Sequence, residues 1–184
     1  ISEARSKNIY INTIHCGGYE EGISTFWKDG ADLGEGKYFN IDSNKKVIFI
    51  PTPYDDVLNK CNTKLNDTYI NYSNAGASYK TKQMVQDKLS ESVSSANLVE
   101  RTVSKSKVAA YDNSHWDLVD SYKKDKEFLK KVKKEELPAE FKGKTEAEIV
   151  EIAKEKAEER LVLQKEIEEL AVKRQKFIDQ EMKT

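Results

Sequence analysis

From Thr145 to Met182 the chain contains neither glycine nor proline, and that one run restricts the fold more than any other stretch. The two residues that most readily interrupt a helix are absent. Ile149, Ile152, Lys156, Leu163, Ile167, Leu170, Arg174 and Phe177 fall near one face at helical spacing. Thr145 and Glu148 stand at the capping-box spacing, where each side chain satisfies the other's free backbone donor. A helix from Thr145 to about Lys183 would be about 55 Å long at 1.5 Å per residue. Its Glu and Lys runs form a solvated face, and each i,i+4 pair there contributes only about 0.2–0.5 kcal/mol. Burial of the apolar stripe must therefore supply most of its stability. The helix is expected to fold back on the preceding helical region, burying Ile149, Ile152, Leu163, Ile167 and Leu170 against Val85, Leu89, Val93, Val119 and Phe128. Self-association through an intermolecular helix pair is the alternative.

The beginning of the chain has a different period. Ile1–Asn8 reads as the end of a helix, which suggests a piece of a longer protein. Ile9–His15 is rich in β-branched and aromatic residues and reads as a strand, ended by Cys16-Gly17-Gly18. Ile23, Phe26, Trp27, Ala31 and Leu33 are spaced as one amphipathic helix, stopped at Gly34 and Gly36. Lys37–Ile41 is a second strand, and Val47–Ile50 a third after a polar turn. Strand, helix and strand in this order make parallel sheets, so the first two strands are expected as parallel neighbours in a right-handed crossover. The third should pair antiparallel with the second.

Beyond this, helices dominate. Thr52 is placed to cap a helix, with Pro53 in its first turn, and Val57, Leu58, Cys61, Leu65 and Tyr69 trace a stripe through Pro53–Tyr72. Val85, Leu89, Val93, Ala96, Val99 and Val103 predict a second long helix over about Ser78–Lys105. Asn113 or Ser114 would cap a short helix carrying Trp116, Val119 and Tyr122.

Charge and composition exclude several functions. Lys plus Arg number 31 against 32 Asp plus Glu, which argues against nucleic-acid binding, where cations must displace counterions from phosphates. No apolar run is long enough to span a membrane. His15, Cys16, Cys61 and His115 lack the local spacing of a zinc site. A Cys16–Cys61 disulfide is conceivable in an exported protein. Gly17-Gly18, between strand and helix, invites a phosphate cradle but lacks the nucleotide-loop spacing, so a tight turn is the simpler reading. Ser114-His115 with Asp112 or Asp117 resembles a triad by composition only, because adjacent helical residues point about 100° apart. Trp27 and Trp116 read as packing residues. The chain therefore reads as a binding protein, not an enzyme.

Three stretches carry a resemblance: Ile11-Asn12-Thr13-Ile14-His15-Cys16-Gly17, Gly36-Lys37-Tyr38-Phe39-Asn40-Ile41-Asp42 and Thr52-Pro53-Tyr54-Asp55. In this order they resemble the closing strands and last helix of a bacterial von Willebrand factor A domain. Tyr111–Asp120 and Glu136-Leu137-Pro138 resemble the helical extension that follows it in one bacterial group. The resemblance implies an α/β unit over residues 1–73, part of a doubly wound, Rossmann-like sheet, then a mostly α extension over 74–184 with a long C-terminal helix. It implies a protein-binding or adhesion module, exported or in the cell envelope, whose ligand site lies at the carboxyl ends of the strands. The rim loop Cys16, Gly17 and Gly18 would lie there. The family's Asp-x-Ser-x-Ser metal loop is not found in this sequence and belongs on a strand that would precede Ile1. Magnesium or calcium would thus be a cofactor of the full-length protein and not of this chain. A metal-independent assembly module acting through the helices is the runner-up, and a hydrolase with a split site a distant third.

Overall fold

A computed structural model describes residues 1–43 and 49–183 and shows a mixed α/β chain in two compact units, residues 1–49 and 50–184. In the first, α1 (Ser2–Ser6) precedes β1 (Ile11–Cys16), α2 (Tyr19–Ser24), α3 (Trp27–Leu33) and β2 (Glu35–Ile41). The two strands are parallel neighbours, with Thr13 opposite Tyr38 and Cys16 opposite Ile41. Their register shifts between Ile11 and Thr13, where the Asn12 side chain accepts the Lys37 N–H at 2.8 Å. Gly36 is required at this crossing, since a Cβ there would lie 2.1 Å from the Ile11 carbonyl oxygen. The proposed third strand begins at Val47 and Ile48, outside the described residues, while Phe49 and Ile50 are irregular.

The single helix expected over Ile23–Leu33 is two helices. Ser24 and Thr25 hydroxyls both donate to the Glu21 carbonyl, ending α2, and Phe26 adopts a left-handed backbone with φ of 66° before α3 begins. The two helices cover the sheet face formed by Ile11, Thr13, His15, Tyr38 and Asn40. The opposite face leaves Ile14, Phe39 and Ile41 exposed.

The second unit contains α4 (Asp55–Asp67), α5 (Gly76–Val93), α6 (Ser95–Ser106), α7 (Leu118–Lys124), three short 3-10 turns and α8 (Glu146–Glu181). The boundary read at 73/74 groups α4 with the sheet, but α4 packs on α6 and α8, and the compact unit that holds it starts at Ile50. The helix is also shorter than Pro53–Tyr72. It stops at Asp67 because Thr68 turns its hydroxyl onto the Leu65 carbonyl and Ile70 N–H is drawn to the Asp117 carboxylate.

The continuous helix expected over Ser78–Lys105 breaks at Ser94, which is extended and caps α6 by accepting the Asn97 N–H. Before the break the amphipathic reading is inverted. Val85, Leu89 and Val93 are exposed, and α5 turns Gln83 and Asp87 inward. Trp116 is buried ahead of the short helix, which is capped by Asp117 and not by Asn113 or Ser114.

Helix α8 has the Thr145–Glu148 capping box and folds back along the unit, packing on α4, α6 and α7. Ile149, Leu163 and Ile167 are buried as expected, and Ile152 and Leu170 are partly buried. Two apolar clusters lie along it. One joins Ile149 and Ala153 to Leu118, Val119, Tyr122 and Phe141. The other joins Ile167 to Leu58, Leu65, Tyr69, Val99 and Trp116.

Candidate functional site

At the carboxyl end of β1, Gly17 N–H donates to the Ile41 carbonyl at 2.9 Å and Gly18 N–H to the Glu21 carboxylate at 3.4 Å. Both donors that a phosphate cradle would use are therefore engaged inside the unit. All glycines have negative φ, so the pair is not selected for left-handed backbone. Space decides at Gly17, where a Cβ would lie 2.6 Å from the His15 ring. His15 is fixed by Asn40, whose Oδ1 lies 3.2 Å from Nδ1 and whose amide nitrogen donates to the Gly17 carbonyl. The rim loop is thus braced from beneath by a polar pair, with Cys16 exposed beside it.

Cys16, exposed, and Cys61, buried, are both free thiols. Burial pushes the Cys61 thiol upward, which suits an inert core residue. The triad by composition is not assembled. Asp117 faces Arg160, Asp112 accepts the Ser114 N–H, and His115 packs edge-on against Tyr79 with ring centroids 4.9 Å apart. Trp116 stacks on Tyr69, whereas Trp27 is partly exposed beside His15. Among the described residues no group of three or more His, Cys, Asp or Glu side chains is placed to hold a metal ion. None of their helices is long and apolar enough to cross a membrane.

The strongest electrostatic features are ones that periodicity did not reveal. Arg160 is 1% exposed and lies between the two apolar clusters. Its guanidinium donates to the Thr68 hydroxyl and carbonyl, to Asp117 at 2.6 Å and to Asp120 at 2.7 Å, and it stacks over the Tyr69 ring. Burial opposes the charge on Arg160, but Asp117 and Asp120 hold its pKa above the ordinary guanidinium range. Burial likewise pushes the Asp117 carboxyl upward, against the pull of Arg160.

A second cluster holds α4, α5 and α6 together. Lys105 Nζ donates to Asn62, Asn66 and Asp87, and Arg101 donates to the other Asp87 oxygen at 2.6 Å. Burial lowers the Lys105 pKa to about 8 in spite of Asp87. At Asp87 burial opposes ionisation, but hydrogen bonds from Asn66 and Lys105 outweigh it and hold the carboxyl below its usual range. A third contact ties Arg174 to Asp55 and Glu100. Lys105 and Asp87 have their hydrogen bonds met inside these clusters, which fix helices and do not assemble a catalytic group.

Arg160 had a weak signal in the sequence, because Ala153, Arg160, Ile167 and Arg174 repeat at seven residues along the buried face of α8. Two accessible surfaces among the described residues are largely apolar. One is the Ile14, Phe39 and Ile41 sheet face. The other is a groove of about 590 Å³ between α6 and α8, lined by Val103, Val108, Leu161, Ala171 and Val172. Comparison with models of protein families, with curated proteins and with solved structures finds no match to this chain.

Proposed function

We propose that the chain is a protein-interaction module whose first unit belongs to a von Willebrand factor A-type sheet. The observation that supports this reading is the parallel β1–β2 pair, covered by α2 and α3 on one face only. Parallel sheets are ordinarily covered on both faces, and two strands alone are marginal in water. Ile14, Phe39 and Ile41 on the other face are suited to further elements of the same sheet. On this reading a divalent cation, magnesium or calcium, is held by residues outside the chain, and a partner protein binds at the rim near Cys16–Gly18 in the cell envelope or outside the cell.

The test uses the polypeptide extended upstream of Ile1 by whatever its gene encodes there. An Asp-x-Ser-x-Ser loop in that sequence, slower amide exchange at Ile14 and Phe39, and a melting midpoint raised by magnesium are the expected results. No such loop and no response to the cation would reject the adhesion reading.

A second reading is a metal-independent assembly module, favoured by the largely apolar groove between α6 and α8, whose lining includes the exposed Leu161 and Val172. It predicts association that Leu161→Glu abolishes and that is indifferent to cations.

A further inference from the structure

A hollow of about 250 Å³ is lined by residues of α5, α6 and the Tyr111–Trp116 segment, among them Tyr79, Lys82, Arg101, Asn113 and His115. Its lining includes two cations and no carboxylate, in a chain where acids and bases are otherwise balanced. Arg101 uses Nε on Asp87 and Nη2 on the Gln83 carbonyl and Tyr111 hydroxyl. Its Nη1 has no partner among the described residues. Asp87 is shared with Lys105, so two cations stand behind one carboxylate and the wall carries excess positive charge. Lys82 sits at the rim, its ammonium 5.4 Å from the Tyr79 ring centroid.

The decisive group is Asn113, which is 8% exposed. Its Oδ1 accepts the Trp116 indole N–H at 3.1 Å and its backbone N–H donates to Asp120. Its Nδ2 is buried with no acceptor. Native folds rarely leave such a donor unpaired, and an unpaired one calls for an acceptor. The unpartnered amide, the spare guanidinium nitrogen and the acid-free lining all lack the same thing, a negatively charged oxygen. The volume lies below that of ordinary drug-sized pockets, which start at about 300 Å³. It suits a charged group with a few further atoms.

We infer that this hollow binds the oxyanion of a small acidic ligand, a phosphate or a carboxylate. Asn113 and Arg101 donate hydrogen bonds to it and Lys82 adds charge from the rim. The site uses none of the rim residues on which the proposed function rests.

The test is an NMR titration of the whole chain with inorganic phosphate and, separately, with acetate, at ionic strength held constant with sodium chloride. Saturable shifts of the Asn113 side-chain amide and the Trp116 indole N–H are expected, and the anion that saturates at lower concentration identifies the oxyanion. Lys82→Gln should weaken binding about tenfold, as expected for one charge-assisted contact. Lys88→Gln, the same loss of charge farther along α5, should leave binding unchanged. Asn113→Asp replaces the unpaired donor with an oxygen, keeps the acceptor for Trp116, and should abolish saturation. Shifts linear in both anions, shifts reproduced by chloride, or equal binding by the wild type and Lys82→Gln would overturn the assignment.

Discussion

Four polar groups and one aromatic ring meet on the Arg160 guanidinium inside the second unit. Removing one member of a buried pair leaves the other uncompensated, at a cost of about 3–5 kcal/mol. Arg160→Met should therefore lower stability to urea by about that amount, and a loss under 1 kcal/mol would reject the role assigned to it. Arg160→Lys should recover little, since an ammonium cannot reproduce the planar fork that spans Thr68 and Asp117.

Lys105 gives a pH signature of known sign. Its pKa is lowered from 10.5 to about 8 in the folded chain, so between those values the unfolded chain binds more protons. Its contribution to stability accordingly rises as pH rises through about 8 toward 10.5, and the cost of burying the charge is fully present below. Denaturation at pH 7 and pH 9.5 should show the wild type gaining on Lys105→Met. A pH-independent difference between the two would show that the group does not titrate in this window.

Among the elements, α5 and α8 make opposite use of the same helical period. On α8 the apolar stripe faces inward, and Leu163→Ala should cost about 2–5 kcal/mol, as large-to-small core changes do. Val162→Ala beside it, on the exposed face, should change stability by no more than about 0.5 kcal/mol. On α5 the stripe of Val85, Leu89 and Val93 faces outward, so Leu89→Gln should also stay within about 0.5 kcal/mol. A loss of 2 kcal/mol at Leu89, read from the urea midpoint, would mean that this face is covered in solution. The break between α5 and α6 is held by the Ser94 cap, and Ser94→Ala should cost about 1 kcal/mol.

For the molecule as a whole, both apolar clusters lie within residues 50–184, as do the Arg160, Lys105 and Arg174 contacts. Residues 50–184 expressed alone should therefore unfold cooperatively at the midpoint that the whole chain shows by helical circular dichroism. A broad, non-cooperative transition would show that this unit depends on the first. The described residues of the first unit form a two-stranded sheet, the short α1, and α2 and α3 over a face rich in Thr13, His15, Tyr38 and Asn40. Alone they should show little amide protection, as expected for so small a sheet.

Local signals determined α8, its capping box and the order strand–helix–strand. Each is carried by residues within a turn or a pleat of one another, where spacing alone decides which side chains share a face. The parallel pairing of β1 and β2 was legible for the same reason, through the connection between them. The breaks at Phe26 and Ser94 were not. There a hydroxyl bonded to a nearby carbonyl or N–H competes with a period that continues on both sides. Nor could spacing reveal that α5 buries Gln83 and Asp87, or that Arg160 belongs in the interior. A charge is stable inside only where its partners converge, and Arg160 meets Thr68 and Asp117 across 92 and 43 residues of chain. The Asn113 hollow has the same origin, since Tyr79, Arg101 and His115 come together only when α5, α6 and the segment after them are packed. Periodicity fixes which face of an element is apolar; only packing decides what that face, or its opposite, will meet.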